Sequence, residues 1–266
     1  MWIDSHCHLD APDFDADRDE VVAQATRAGV EAIVNLPGHV DHFSSAKATR
    51  ERNACLTGYG IHPMWVSGPL GRSRREDLAV LRDWVEREKP DLIGEIGLDF
   101  FIPDFDAPEQ EWFFAEQLKI ARAYDLAVSL HVRRSQDHIL KHLRRIRVRG
   151  GFAHAFNGSA QQAEEFVKLG FCLGFGGTAT FPQAQRIRAL LREVPIEHVV
   201  VETDAPDIPP SFLGTMSSRE RNSPVYLPRI GEMLAYVRGM SPDAFAAATT
   251  ANVRRVLGPS VLARGS

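Results

Sequence analysis

The segment Ile3–Asp10, with the sequence IDSHCHLD, decides how the rest of the chain is interpreted. It has the pattern of a short strand that ends in two histidines, two residues apart. Successive side chains of a strand point to opposite faces, so His6 and His8 share one face and Cys7 points to the other. Two neighbouring imidazoles at a strand end form half of a metal site, and the remaining ligands would have to come from other strands.

The composition indicates a globular protein with one large core. The chain has 266 residues, of which 44% are hydrophobic and 25% are charged. Because α/β barrels of this length usually form one domain, we expect a single domain over residues 1–266. The formal net charge of −4 gives no overall attraction for nucleic acid. A polyanion would therefore need a local basic patch or bound metal ions.

The cysteines and the first residues indicate the compartment. Cys7, Cys55 and Cys172 are far apart and form no CxxC pair, which favours a reducing compartment over structural disulfides. No basic region followed by an apolar run precedes the first strand, and no apolar stretch is long enough to cross a bilayer. We therefore expect a cytoplasmic protein without membrane contact, and the sequence predicts no obligate protein partner.

Strand-like and helix-like segments alternate about eight times along the chain. Short apolar runs such as Leu126–Leu130 are typical of buried parallel strands, and amphipathic stretches such as Arg74–Glu88 predict the intervening helices. This pattern predicts an α/β protein with a (β/α)8 TIM-barrel fold. An open, doubly wound sheet is the alternative. It is disfavoured because no glycine-rich phosphate-binding motif follows the first strand.

Several of the predicted strands end in a residue that can bind a metal ion. A parallel barrel gathers the C-terminal ends of its strands at one mouth, so these side chains should converge. Imidazoles and carboxylates together suit one or two divalent ions, with zinc, magnesium and manganese as candidates. The predicted metal ligands are His6, His8, Glu95, His131, His154 and Asp204.

Two of these ligands are predicted to act in catalysis. A pair of adjacent metal ions would activate water and stabilise a phosphoryl oxygen and the leaving group, so no protein nucleophile is needed. Glu95 could bridge the two ions. Asp204 could hold one ion and also accept a proton from the attacking water.

Other histidines and aspartates have commoner explanations. We expect surface or capping roles for five histidines in helix-like or loop stretches: His39, His42, His138, His142 and His198. A carboxylate at a strand end is more often a helix N-cap than a ligand, which is the interpretation chosen for Asp99 and Asp104.

Three residues near the predicted mouth are candidates for substrate binding. His62 follows the third strand and either touches the substrate or caps its loop. Arg133 and Arg134 follow His131, where a guanidinium could hold a phosphate through two hydrogen bonds. Three aromatic residues after Glu95 either stack on bases of a single strand or pack their loop onto the barrel: Phe100, Phe101 and Phe105.

Five motifs resemble those of the TatD family of metal-dependent deoxyribonucleases, and the resemblance extends from the first strand to about Leu257. The motifs are Asp4–Asp10 (DSHCHLD), Gly60–Pro63 (GIHP), Gly94–Asp99 (GEIGLD), His131–Arg133 (HVR) and Glu202–Pro206 (ETDAP). The resemblance implies a barrel of the amidohydrolase-like type with the six metal ligands named above.

The resemblance also implies an activity, namely metal-dependent hydrolysis of phosphodiester bonds as a 3′–5′ exonuclease on single-stranded DNA. Ala127, Ser135 and Ser223 depart from common family residues; none is a ligand, so only substrate preference is affected. One alternative is ester hydrolysis on D-aminoacyl-tRNA at the same metal site. Another is a non-catalytic nucleic-acid-binding scaffold with a structural metal, although four closed ligands would suffice for that purpose.

Overall fold

The computed structural model describes residues 1–53, 55–215 and 220–258. All neighbouring strands are parallel, and their order in the sheet follows their order in the chain. The eight strands are β1 (Trp2–Cys7), β2 (Val30–Asn35), β3 (Leu56–Tyr59), β4 (Leu92–Asp99), β5 (Ala127–Arg133), β6 (Gly151–Ala153), β7 (Phe171–Phe175) and β8 (Val199–Val201).

The end of the sheet returns to its beginning. The Asp204 amide, just after β8, donates a 2.9 Å hydrogen bond to the His6 carbonyl, and the Ser5 hydroxyl donates to the Val201 carbonyl at 3.1 Å. The result is a nearly closed (β/α)8 barrel, which confirms the predicted fold class. The prediction of a single domain over residues 1–266 includes residues 54, 216–219 and 259–266, which lie outside the described residues.

Helices cover the outside of the barrel. They are α1 (Arg18–Ala28), α2 (Phe43–Asn53), α3 (Pro63–Val66), α4 (Asp77–Glu88), α5 (Ala107–Ala123), α6 (Gln136–Arg145), α7 (Ala160–Lys168), α8 (Gln185–Glu193), α9 (Leu227–Arg238) and α10 (Pro242–Leu257). The helix predicted for Arg74–Glu88 begins three residues later than expected, at Asp77. No described helix has both the length and the apolar character needed to span a bilayer.

One buried residue from each strand contributes to an apolar layer inside the barrel. These residues are Ile3, Val34, Leu56, Leu92, Ala127, Phe152, Cys172 and Val200, and three residues of α10 pack with them: Val253, Val256 and Leu257. The Asn252 side chain also donates to the Val199 carbonyl at the start of β8 (2.8 Å). Helix α10 therefore lies against the N-terminal side of the barrel, and the apolar layer forms its floor.

Polar side chains lie above this floor, at positions set by the two-residue repeat of a strand. On β5, Ala127 belongs to the floor, and Ser129 and His131 follow on the same face. After Val200 of β8, Glu202 and Asp204 follow at the same spacing. The apolar-to-polar change along these two strands therefore directs chemically active groups towards the C-terminal mouth.

Strand β4 differs from the expectation that it ends at Glu95. It continues to Asp99, because it pairs with β5 as far as Asp99 opposite Arg133, with a register irregularity between Ile93 and Ile96. Glu95 consequently lies within the strand, 1% exposed, and the strand end is occupied by a second carboxylate.

Candidate metal centre

The six predicted ligands meet at the mouth of the barrel, and Glu95 lies among them. Its Oε2 atom is 3.2 Å from His6 Nε2 and 3.5 Å from His8 Nε2. Its Oε1 atom is 2.9 Å from His131 Nδ1. The two oxygens of one buried carboxylate therefore face different sets of imidazoles, an arrangement that allows a carboxylate to be shared by two cations.

Asp204 completes the cluster from the opposite side. Its Oδ1 atom is 3.5 Å from the Nε2 atoms of His6 and His154, and 3.4 Å from that of His8. The side chain keeps 11% of its surface exposed, so it borders both the buried cluster and the open mouth. The backbone at Asp204 has φ of +59°, in the left-handed region that non-glycine residues adopt rarely and aspartate more often than most.

Three of the imidazoles are oriented through their second ring nitrogen. In each case Nδ1 is held by a neighbouring group, so Nε2 faces the cluster, as in metal sites where an outer partner fixes the ring. The partners of Nδ1 are the Ser129 hydroxyl for His6 (3.1 Å), the Leu36 carbonyl for His8 (2.7 Å) and Glu202 Oε1 for His154 (3.0 Å).

Asp99 holds the fourth imidazole. The interpretation of Asp99 as a helix N-cap is therefore wrong. Its Oδ2 atom is 3.0 Å from His131 Nε2, which leaves Nδ1 of that ring facing Glu95. Its Oδ1 atom accepts the amides of Phe101 (2.9 Å) and Ile102 (3.2 Å). Since Glu95 and Asp99 are four residues apart on one strand, their shared face was a signal available in the sequence.

Glu202 is a second supporting residue that the sequence analysis did not single out. Its Oε1 atom accepts the Ala155 amide (2.6 Å) in addition to its contact with His154. The carboxylate fills the space beside Gly174, where a Cβ atom would lie 2.1 Å from Oε2. The sequence could have indicated Glu202 through its spacing from Asp204, because residues two apart on a strand share a face.

Burial and the neighbouring histidines have opposite effects on the pKa values of the Asp204 and Glu95 carboxyl groups. Burial would raise the pKa of Asp204, but the imidazoles of His154, His8 and His6 outweigh it and hold the pKa at about 2. The pKa of Glu95 is likewise lowered, because its histidine neighbours outweigh burial. Both carboxylates therefore remain ionised at neutral pH, and they present negative charge to a cation at the mouth.

The donor set fits a divalent cation. His6 Nε2 is buried and has no hydrogen-bond partner among the described residues, although its ring is held in place at Nδ1. Nitrogen and oxygen atoms within 4.8 Å of one another occur in three groups, which together contain all six predicted ligands. Imidazole nitrogen and carboxylate oxygen are the donors that zinc and manganese accept, and carboxylate oxygen suits magnesium.

His62 has the capping role, one of the two roles that the sequence left open. Its Nδ1 atom accepts the Met64 amide (3.1 Å) and so caps α3, a short helix that was not predicted. Its Nε2 atom lies 3.5 Å from Glu95 Oε1. Burial lowers the pKa of His62 to about 4, so the ring is neutral near pH 7. Contact with a substrate stays a prediction.

Arg133 and Arg134 lie at the mouth, beside the β4 loop. Their guanidinium carbons are 4.2 and 4.4 Å from the centre of the Phe101 ring. Phe100 and Phe105 stack on each other with a centroid distance of 5.1 Å. The ring of Phe101 therefore supports two cations, and the other two aromatic side chains pack within the loop.

The five histidines assigned to surface or capping roles belong to none of the candidate metal groups among the described residues. His39 accepts the Asp41 amide at the start of a 3-10 helix, which is a capping role. His138 and His142 both contact Glu111, at 2.7 and 2.8 Å.

Comparison with known proteins gives matches along almost the whole chain. The family described as TatD-related DNases matches residues 3–258. The uncharacterised metal-dependent hydrolase YjjV of Escherichia coli is 38% identical over 256 residues, covering 94% of this chain and 95% of that protein. The crystal structure of YjjV, a TatD homologue, superposes with a TM-score of 0.89 at 36% identity, covering 96% of this chain and 97% of that one.

Two further relatives have names that specify an activity. The protein named 3′–5′ ssDNA/RNA exonuclease TatD of Cronobacter sakazakii is 34% identical over 254 residues, covering 94% of this chain and 95% of that protein. The putative deoxyribonuclease tatdn3 of Danio rerio is 34% identical over 265 residues, covering 96% of both proteins.

Proposed function

Because this chain belongs to the TatD family of metal-dependent hydrolases, we propose that it hydrolyses phosphodiester bonds, as a 3′–5′ exonuclease on single-stranded DNA. The observation that carries the proposal is the position of Glu95, whose two oxygens face separate sets of imidazoles at the mouth of the barrel. A relative named as a single-strand exonuclease supports the choice of substrate.

In this proposal the six clustered residues would hold one or two divalent ions, and Glu95 would offer its two oxygens to them. Bound ions supply Lewis-acid activation of water and of a phosphoryl oxygen. The protein contributes the orientation: Ser129, Glu202 and Asp99 fix the rings of His6, His154 and His131 from behind. Zinc, magnesium and manganese all fit the donor set.

Asp204 is the proposed acceptor of the proton released by the attacking water. Its Oδ1 atom faces three imidazoles, and the side chain retains an exposed part at the mouth where water can approach. A pKa of about 2 keeps the carboxylate ionised, as a proton acceptor must be. Asp204→Asn should abolish turnover in a protein that remains folded, and near-normal turnover would contradict this role.

The substrate-binding part of the proposal rests on the residues beside the cluster. Arg133 and Arg134 present exposed guanidinium groups at the end of β5, and such groups bind phosphate through paired hydrogen bonds. His62 is neutral and lies next to Glu95, and because its Nδ1 atom accepts the Met64 amide, its Nε2–H group can donate a hydrogen bond to a bound nucleotide.

The test is the degradation of a 5′-labelled single-stranded oligonucleotide by the purified protein with Mg²⁺ or Mn²⁺, and with EDTA. His131→Ala removes a cluster ligand, and His138→Ala removes an exposed histidine from α6 as a matched control. A ladder of shortening labelled products that is lost in EDTA and in His131→Ala, but kept in His138→Ala, is the expected result.

Two outcomes would overturn the proposal. Intact DNA in the presence of protein-bound metal would rule out the nuclease, and hydrolysis of D-aminoacyl-tRNA would then be tested with the same variants. Turnover that survives both EDTA and His131→Ala would show that the reaction does not depend on this cluster.

A further inference from the structure

A groove with a volume of about 600 Å³ lies beside the metal centre. This is within the range of about 300–1,000 Å³ typical of sites for small molecules. One part of the groove is formed by Phe101, Arg133 and Arg134, from the loops after β4 and β5. The other part is formed by residues 183–187, around the start of α8.

Three guanidinium groups line this groove. Arg186, on α8, donates to the Asn157 carbonyl, and Arg133 and Arg134 rest on the Phe101 ring. None of the three forms an ion pair with a carboxylate in the part of the chain that the structure describes. Some exposed arginines elsewhere are paired with carboxylates, as in Arg75 with Glu109 and Arg144 with Glu165. The groove therefore presents three positive charges without direct ion pairs on a protein whose net charge is −4.

Polar amides accompany these cations. The Gln136 side chain donates to Asn157 Oδ1 (2.9 Å), and Gln183 and Gln185 line the α8 part of the groove. Side-chain amides can donate and accept hydrogen bonds, so they suit sugar hydroxyls and base edges. A ligand with several anionic groups separated by polar, uncharged groups matches this lining.

The groove adjoins the metal centre. A cavity of about 20 Å³ lies next to Glu202 and Asp204, and Thr178 and Ile187 line both this cavity and the groove. A chain that placed one phosphate at the proposed metal centre could therefore continue past Thr178 towards Arg186. A nucleic-acid strand has this property because its phosphates recur along the backbone.

We infer that this groove binds the sugar–phosphate backbone of a single strand beyond the nucleotide being removed, with Arg186 contacting a second phosphate. The inference rests on the proposed function, since it assumes a nucleic-acid substrate at the metal centre. Backbone contacts through guanidinium groups do not depend on base sequence. Binding should therefore be largely independent of sequence and should weaken with increasing salt.

The test measures the affinity of the full-length protein for fluorescein-labelled dT12 by fluorescence anisotropy, in EDTA to prevent cleavage and over a range of salt concentrations. Arg186→Ala should weaken binding about tenfold at low salt and should reduce the slope of log K against log [salt] by about 0.7, the contribution of one phosphate contact on a single strand. Arg186→Lys should retain the slope and only part of the affinity.

Arg192→Ala is the matched control, because it removes the same charge from the exposed surface of the same helix outside the groove. Equal effects of Arg186→Ala and Arg192→Ala, or no binding by the unaltered protein, would overturn the inference. Equal competition by a polyglutamate peptide of the same charge would also overturn it, since the groove would then attract any polyanion. Binding without cleavage when metal is restored would contradict only the proposed function.

Discussion

The metal centre and the neighbouring groove differ in how their side chains are held. In the centre, Glu95 and His6 are at most 1% exposed, and their positions are set by strands and by buried hydrogen bonds. In the groove, Arg133, Arg134 and Arg186 are exposed and are held by an aromatic ring or by one backbone carbonyl. The proposed metal ligands are therefore held by buried contacts, whereas the proposed substrate-binding arginines have few contacts and are exposed to solvent.

Asp99 joins these two regions. One carboxylate oxygen holds His131 in the metal centre, and the other holds the amide of Phe101, whose ring supports the arginines. The Phe100 amide also donates to the Arg133 carbonyl (3.0 Å), which fixes the loop against β5. A change at Asp99 should therefore disturb both regions, whereas changes elsewhere should disturb only one.

The largest effect is expected from Glu95→Ala. This change removes the carboxylate that faces His6, His8 and His131, so both the bound metal and turnover should be lost. We expect turnover to fall by at least about 10³-fold, more than the 10–100-fold typical of a supporting partner. The measurements are metal content of the purified protein and the rate of oligonucleotide cleavage. Glu116→Ala, on the outer face of α5, is the control, and a Glu95→Ala protein with full metal content would contradict the assignment.

A smaller effect is expected from Asp99→Asn. If Nδ1 of His131 binds a metal, Nε2 carries the ring proton and needs a hydrogen-bond acceptor. The asparagine can place its NH2 group against Nε2, so that two donors face each other and the ring loses its support. Metal affinity should fall about 10–100-fold. Asp104→Asn, on the exposed loop that follows β4, is the control for the same chemical change. Equal metal affinities of the two variants, measured by competition with a chelator, would show that Asp99 does not support the centre.

Much of the metal centre could be predicted from the sequence because strands have a fixed geometry. Once the chain is interpreted as a parallel barrel, residues at strand ends must converge, and this brings His6, His154 and Asp204 together from distant positions. The supporting residues Asp99 and Glu202 were accessible by the same alternation rule. Asp99 was missed because a carboxylate at a strand end has a commoner explanation as a helix cap, and Glu202 was not singled out.

The groove could not be predicted in the same way. Its residues come from loops, whose conformations are set by local contacts and not by a repeating geometry. Arg186 received no functional interpretation, because a charged residue at the start of a helix usually faces solvent. Phe101 was considered as a stacking platform for bases, and only the structure places two guanidinium groups over its ring.

A moderate effect, confined to the groove, is expected from Phe101→Leu. Leucine keeps an apolar side chain but lacks the aromatic face that attracts the cations of Arg133 and Arg134. We expect KM for an oligonucleotide to rise about fivefold, from a loss of about 1 kcal/mol, with little change in kcat. Phe105→Leu is the matched control, because that ring stacks on Phe100. A decrease in kcat as large as the rise in KM would show that the two regions are not separable.

The smallest effect is expected at Glu111, which gathers histidines without forming a metal centre. His138 and His142 contact different oxygens of its carboxylate. Burial would raise its pKa, but the hydrogen bonds from His142 and His138 lower it to about 2, from an ordinary value of 4.5. A lowered pKa in the folded state means that the ionised carboxylate stabilises the protein above pH 4.5 and that this stabilisation is lost as the pH falls towards 2.

Comparison of the unaltered protein with Glu111→Gln tests whether the histidine cluster at Glu111 contributes to stability and not to metal binding. At pH 7 the variant should have a free energy of unfolding lower by about 1 kcal/mol or less, because His138 is about half exposed and solvent screens the interaction. Urea unfolding in EDTA should show a smaller difference in the free energy of unfolding at pH 3 than at pH 7. The variant should bind metal and turn over substrate at pH 7 as the unaltered protein does. A difference that is independent of pH would mean that Glu111 stabilises the helices by packing and not by charge. Lost metal binding would mean that the surface cluster around Glu111 also binds metal. A position at the strand ends would then no longer separate the metal-binding cluster from other histidine–carboxylate clusters.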